Sequence, residues 1–148
     1  MPEVDAGRIQ RYLMTIRENT EDIRALLSQY EDDALCKERY MLKALKYCLI
    51  EIAEAMADTL QHFLARRKGL AAESYLELLE KAAQTALLDT ELLQRLRFFF
   101  KFRNMLVHRY WEIDDRRLLQ ETRKGFKDFE LFTEAVTTEL AGHSPPPD

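Results

Sequence analysis

Hydrophobic positions recur along this chain at spacings of three and four, and no stretch alternates with period two. The spacing predicts helices throughout and no strand. Ile9, Leu13, Ile16, Thr20, Ile23, Leu27 and Tyr30 form one stripe, which predicts a first helix from about Asp5 to Tyr30. Glu31-Asp32-Asp33 breaks the stripe. A second helix is expected from about Ala34 to Arg67, on Met41, Leu45, Cys48, Ile52, Ala55 or Met56, Thr59 and Phe63, with Arg66-Arg67-Lys68 and Gly69 closing it. Ser74 with Glu77 reads as a capping box for a third helix that fades near Leu88. Asp89 or Thr90 caps a fourth, expected to run through Tyr110. Asp114 caps a fifth that carries Leu118, Leu119, Phe126, Phe129, Phe132 and Val136. Long helices with short connections predict an all-α, up-and-down bundle of about five helices.

Composition supports this reading. Of 148 residues only 4 are Gly and 4 are Pro, and Pro145, Pro146 and Pro147 sit together at the end. One helical domain over residues 1–142 is expected, followed by a disordered tail over 143–148. With 47% hydrophobic and 32% charged residues the chain has material for a core. Cys36 and Cys48 lie apart in helical segments and read as reduced thiols. No apolar run reaches membrane-span length and the first ten residues lack an apolar signal core, so a cytoplasmic location is expected.

Charge changes the picture in one place. The protein has net charge −4, yet Leu92–Trp111 holds five basic residues (Arg95, Arg97, Lys101, Arg103, Arg109) and no acid. A local basic segment of this kind attracts a phosphate chain, and Arg95, Arg97, Lys101 and Arg109 are candidate RNA contacts. Phe98, Phe99, Phe100 and Phe102 are expected to pack between helices and across a dimer, since adjacent aromatics cover several faces of a helix.

The reactive residues concentrate in Arg103-Asn104-Met105-Leu106-Val107-His108-Arg109-Tyr110. Cleaving RNA without a metal requires three things. A base takes the 2′-hydroxyl proton, a cation stabilises the phosphorane, and an acid protonates the leaving 5′-oxygen. Histidine titrates near neutrality and suits the proton steps. Arginine offers a permanent charge and a planar fork of donors. On a regular helix Arg103 and His108 lie about 140° apart. Convergence on one phosphate then requires a distorted helix end or two subunits that combine their motifs. Arg103 and Tyr110, seven residues apart, are expected to share a face. Nothing in the sequence suggests a metal site or a phosphate-binding loop, and His62 and His143 receive no role.

The string RNMLVHRY resembles the Arg-x4-His-x-Tyr signature of HEPN-domain proteins of the HepT type. The resemblance extends over most of the chain, including Ile52-Ala53-Glu54-Ala55, the Tyr75 helix and Trp111-Glu112-Ile113-Asp114. It implies a homodimeric helical bundle acting as a metal-independent endoribonuclease toxin, with its active site in the dimer cleft. By motif it makes Arg103 and His108 catalytic and Asn104 a supporting residue. It also implies that Tyr110 receives AMP, from ATP, through an MntA-like nucleotidyltransferase antitoxin, and it implies no cofactor for the chain itself. HEPN proteins often add a polar residue from an earlier helix, and Glu51 and Glu54 are both candidates. Two other functions fit the sequence: a non-catalytic partner or nucleotide-binding subunit of a nucleotidyltransferase, and a helical scaffold.

Overall fold

In the computed structural model, which describes residues 3–142, four of the helices begin at a side chain that accepts from the amides of the first turn. Asp5 caps α1 (Ala6–Gln29), accepting from the Arg8 amide at 3.1 Å. Ser74 caps α4 (Tyr75–Ala82), accepting from the Glu77 amide, while the Glu77 carboxylate reaches back to the amide of Glu73. Asp89, not Thr90, caps α5 (Thr90–His108), accepting from the Leu92 amide at 2.7 Å. Asp114 opens α6 (Asp115–Gly142), accepting from the Arg116 amide at 2.7 Å. These contacts answer amide donors that a helix start leaves unpaired.

The longest helix, α3 (Arg39–Lys68), ends at Gly69, whose left-handed backbone (φ 65°) lets its N–H reach Ala65. Side-chain contacts fix the helix directions. Asp5 meets His62 and Asn19 meets Glu51, so α1 and α3 are antiparallel. Arg67 meets Glu139 and Lys46 meets Asp115, so α6 runs parallel to α3. α5 and α6 pack together, with Arg95 meeting Asp128, and the short connection from His108 to Asp115 folds α6 back along α5, so the two are antiparallel. The result is the expected up-and-down all-α bundle, with α1, α3, α5 and α6 as its long members and α4 laid beside α3 and α5.

The core follows the predicted stripes closely. Ile9, Leu13, Ile16, Thr20 and Ile23 of α1 are buried, as are Leu118, Leu119, Phe129, Phe132 and Val136 of α6. At the start of α3 the stripe is shifted by one residue. Leu42 and Leu49 take the core positions and leave Met41 and Cys48 half-buried. Burial pushes the Cys48 thiol up to about 11, as expected for an inert thiol. Among the described residues no helix is long and apolar enough to cross a membrane.

Three boundaries differ from the sequence reading. The second predicted helix is interrupted: α2 (Asp32–Leu35) is a single turn, and the chain bends through Cys36–Glu38 before α3 begins. Leu35 has to be fully buried, and Asp32 and Asp33 are held by Arg123 and Arg116 of α6 at 2.8 and 2.6 Å. Those contacts set an orientation that a continuous helix would not meet. The third helix stops at Ala82, followed by a 3-10 turn at Ala83–Thr85 and a left-handed Ala86. The fourth stops at His108 instead of Tyr110. Arg109 leaves helical geometry (φ −135°, ψ 41°), and a 3-10 turn at Tyr110–Glu112 brings Ile113 back against the core. The expected tail over 143–148 lies outside the described residues.

His62 holds α1 at its start. Its Nε2 accepts the Asp5 N–H at 2.8 Å, and the side chain is buried. Burial holds its pKa below the ordinary value, aided by Arg66 and Arg8 and opposed by Asp5. Only the neutral ring can accept this bond. The folded pKa lies below the unfolded value of about 6.5, so the contribution is complete above that value and is lost as pH falls through the folded pKa. Between pH 7.5 and 5 the wild type should therefore lose about 1–2 kcal/mol relative to His62→Gln, whose amide oxygen accepts without titrating. Thermal melts of the pair check this, and a pH-independent difference would refute it.

Candidate functional site

Helix α5 presents three different faces, and the 100° step of the helix sorts its residues among them. Leu92, Leu96, Phe100 and Arg103 turn toward α3 and α4. Arg95, Phe98, Phe99 and Phe102 turn toward α6. Arg97, Lys101, Asn104 and His108 line up along the outside within about 60° of one another. All four are exposed, and Arg97 and Lys101 have no ion-pair partner among the described residues. This outer row is the basic strip that the sequence could not separate from its neighbours. Arg95 does not belong to it, because it pairs with Asp128 at 2.9 Å. Arg109 lies beyond the helix and sits 3.8 Å from Glu112.

Arg103 is set differently. Its side chain is 15% exposed and is surrounded by groups from three helices. Nη2 donates to Glu54 Oε1 of α3, and Nη1 donates to Asn104 Oδ1 at 3.2 Å. The guanidinium lies over the Tyr75 ring of α4, 5.1 Å from its centroid. Tyr75 stacks in turn on Phe100, with centroids 5.0 Å apart and planes 4° from parallel. The Tyr75 hydroxyl donates to the same Glu54 oxygen at 2.6 Å. Arg103 Nε is buried without a hydrogen-bond partner. Of the two acids left open by the sequence, Glu54 is the one at the site; Glu51 faces α1 and accepts from Asn19 at 3.4 Å. Tyr75 was not singled out as a site residue, and a tyrosine after a helix cap carries no signal that could have done so.

The electrostatics follow from this packing. Burial first, and then the hydrogen bond to Glu54, pushes the Tyr75 hydroxyl up to about 12, so it stays a donor at any physiological pH. One turn beyond Glu54, Asp58 has a raised pKa, first from burial and then from the Glu54 charge. Among the described residues no group of three or more His, Cys, Asp or Glu side chains is placed to hold a metal ion.

α5 is helical from Arg103 through His108, so the distorted-helix route to convergence is absent, and the two side chains leave the helix on different faces. The shared face expected for Arg103 and Tyr110 also fails, because the helix has ended before Tyr110. Tyr110 is instead 64% exposed on its own 3-10 turn, edge-on to the equally exposed Trp111 at 5.4 Å. Phe99 packs on Phe129, and Phe100 and Phe102 are buried, whereas Phe98 is half exposed. Phe98 edges a groove of about 420 Å³ between α5 and α6 that contains neither Arg103 nor His108.

Solved structures share this arrangement. The tri-AMPylated HEPN toxin of Shewanella oneidensis, solved in complex with MNT antitoxin, is 19% identical, with 93% of this chain and 99% of that chain covered at a TM-score of 0.80. A toxin–antitoxin structure with AMP-PNP is 20% identical, covering 92% of this chain and 99% of that chain at 0.77. A cytosolic protein of unknown function from Bacillus subtilis, YutE, is 17% identical, covering 100% of this chain and 99% of that chain at 0.81. These likenesses establish the fold. No curated protein matches the chain in sequence. The sequence model of the family described as Ribonuclease HepT-like matches residues 16–136, which span α3, α4, the whole of α5 and most of α6. The chain therefore belongs to the HepT-like ribonuclease family.

Proposed function

We propose that this protein is a metal-independent endoribonuclease toxin that works as a homodimer, with Arg103 of one copy and His108 of the other serving one phosphate. The observation that carries the reading is the split between them: Arg103 is a preset cation in a polar pocket, and His108 is exposed at the end of the same helix. In the reaction the RNA 2′-hydroxyl gives its proton to a base and its oxygen attacks the adjacent phosphorus. Arg103 stabilises the added negative charge, and Asn104 steadies the guanidinium. The 5′-oxygen leaves with a proton from an acid, and a 2′,3′-cyclic phosphate remains. At each composite site the His108 of the second copy serves in the proton transfer. Arg97 and Lys101, in line with His108, guide the strand.

The regulatory half of the proposal concerns Tyr110. Its exposure leaves the hydroxyl open to a partner nucleotidyltransferase of the MntA type, which would transfer AMP from ATP with release of pyrophosphate. The AMPylated Shewanella toxin, found with its antitoxin, supports this reading. An AMP group two residues from His108 would add negative charge and bulk beside the outer strip. A non-catalytic partner subunit is the competing reading, and the Glu54–Arg103 ion pair favours it, because a salt-bridged arginine also suits a structural role.

Unmodified protein should cut total cellular RNA in excess EDTA, and His108→Ala should lower the rate by about 10²-fold or more. Loss of cutting in EDTA would remove the metal-free mechanism, and unchanged cutting by the variant would remove His108 from it. Mixing Arg103→Ala with His108→Ala should restore cleavage to about a quarter of wild type. Half the dimers are then mixed, and each mixed dimer holds one intact composite site. No recovery on subunit exchange would mean that the two residues do not combine across subunits. Tyr110→Phe should keep its ribonuclease activity and resist silencing by the cognate nucleotidyltransferase with ATP. Silencing that persists would place the modification elsewhere.

A further inference from the structure

From the Arg103 pocket we infer that Arg103 and Tyr75 together form one seat for a phosphodiester, and that Glu54 occupies this seat in the resting protein as an internal stand-in for the phosphate. The inference rests on reading Arg103 as the phosphate-binding cation.

Three observations converge. First, Glu54 Oε1 accepts from both Arg103 Nη2 and the Tyr75 hydroxyl, so two donors from two helices already point at one anionic oxygen. Second, the match is incomplete. Glu54 meets Arg103 through one carboxylate oxygen, Oε1 on Nη2, and leaves Nε buried and unpartnered. A buried donor without a partner is destabilising. A phosphodiester has two free oxygens and can take Nε and Nη2 side by side, the bidentate geometry that guanidinium favours. Third, the occupant can leave while the seat stays. The Glu54 side chain is 45% exposed and can turn into water, whereas Arg103 is only 15% exposed, with Tyr75 beneath it and Phe100 beneath Tyr75. Once Glu54 withdraws, the Tyr75 hydroxyl is a free donor beside the guanidinium. A phenol keeps its proton near neutral pH.

RNA binding is therefore an exchange of anions at Arg103. The phosphate enters, Glu54 is released into solvent, and the freed carboxylate takes up a counterion. That uptake offsets part of the counterion release that normally drives binding to a phosphate chain, so the wild type should show a weakened salt dependence. Tyr75 has a substrate-binding role that can be separated from its contact with Glu54.

The test measures binding of a fluorescent single-stranded oligoribonucleotide by anisotropy across a salt series. All proteins carry His108→Ala, so that nothing is cut. Glu54→Gln keeps the shape and removes the charge. It should bind about three- to tenfold more tightly at moderate salt, with a slope of log K against log salt steeper by up to about 0.7. Adding Arg103→Ala should abolish that gain. Adding Tyr75→Phe to Glu54→Gln, which keeps the ring over which Arg103 lies, should weaken binding several-fold. If Tyr75 only holds Glu54, the added Phe would change nothing, and Tyr75 would lose its place in the seat. Equal or weaker binding by Glu54→Gln with an unchanged slope would overturn the exchange, making Glu54 a fixed brace for Arg103. Thermal melts verify folding, and Glu54→Ala replaces the Gln variant if that one is unstable. Cleavage by the His108-containing protein is scored separately, so a protein that binds by anion exchange but never cuts would refute the ribonuclease reading and leave the seat standing.

Discussion

A straight α-helix turns 100° per residue, and in α5 that step governs what the molecule can do. Arg103 and His108 are five residues apart on a helix that stays regular through both, so no single chain presents them on one face. The inward position gives Arg103 a lined pocket from α3 and α4. The outward position leaves His108 in solvent beside Arg97 and Lys101. Everything around α5 preserves this division. Asp89 fixes where the helix begins, and Leu92, Leu96 and Phe100 fix its rotation against the core. At the other end, the return of Ile113 to the core forces the chain out of the helix directly after His108. That break sends Tyr110 onto a separate, exposed turn.

Much of the bundle could be read before the structure because local signals and tertiary packing agree. The caps at Ser74 and Asp114, the cap at Asp89 as one of the two offered there, and the apolar stripe of α1 are short-range patterns, and each sits where it was expected. The misread boundaries are those set by distant residues. The break before α3 depends on Arg116 and Arg123, some ninety residues away, gripping Asp33 and Asp32 around the buried Leu35. No window of sequence near residue 36 contains that information.

The site divides in the same way. Arg103, Asn104 and His108 were visible as a motif and Tyr110 as part of it, whereas their grouping was not. Periodicity places Glu51 and Glu54 both near the surface of α3, and only the packing of α1 on one side and α4 on the other separates them. Arg95, Arg97 and Lys101 look alike in composition. Asp128, on a different helix, pairs with Arg95 and sets it apart from Arg97 and Lys101, which are unpaired among the described residues. The contribution of Tyr75 depends on a contact between α4 and two other helices, and no local pattern records it.

On the proposed reading of Arg103 as the phosphate-binding cation, an acid placed directly on it has a physical rationale. A guanidinium this far withdrawn from water needs a partner, and leaving it bare would cost more than an exposed ion pair returns. Glu54 supplies that partner, and Tyr75 fixes where its oxygen stands. The arginine is thereby held in one geometry before any RNA arrives, which a flexible surface arginine would not be. The same contact lowers affinity, since the phosphate must displace an anion already in place. What RNA would gain at Arg103 is thus the difference between two anions. That difference favours the phosphodiester chiefly through the Nε donor that Glu54 leaves unanswered. On that reading the site is stable without RNA and favours a ligand that answers Nε as well as Nη2.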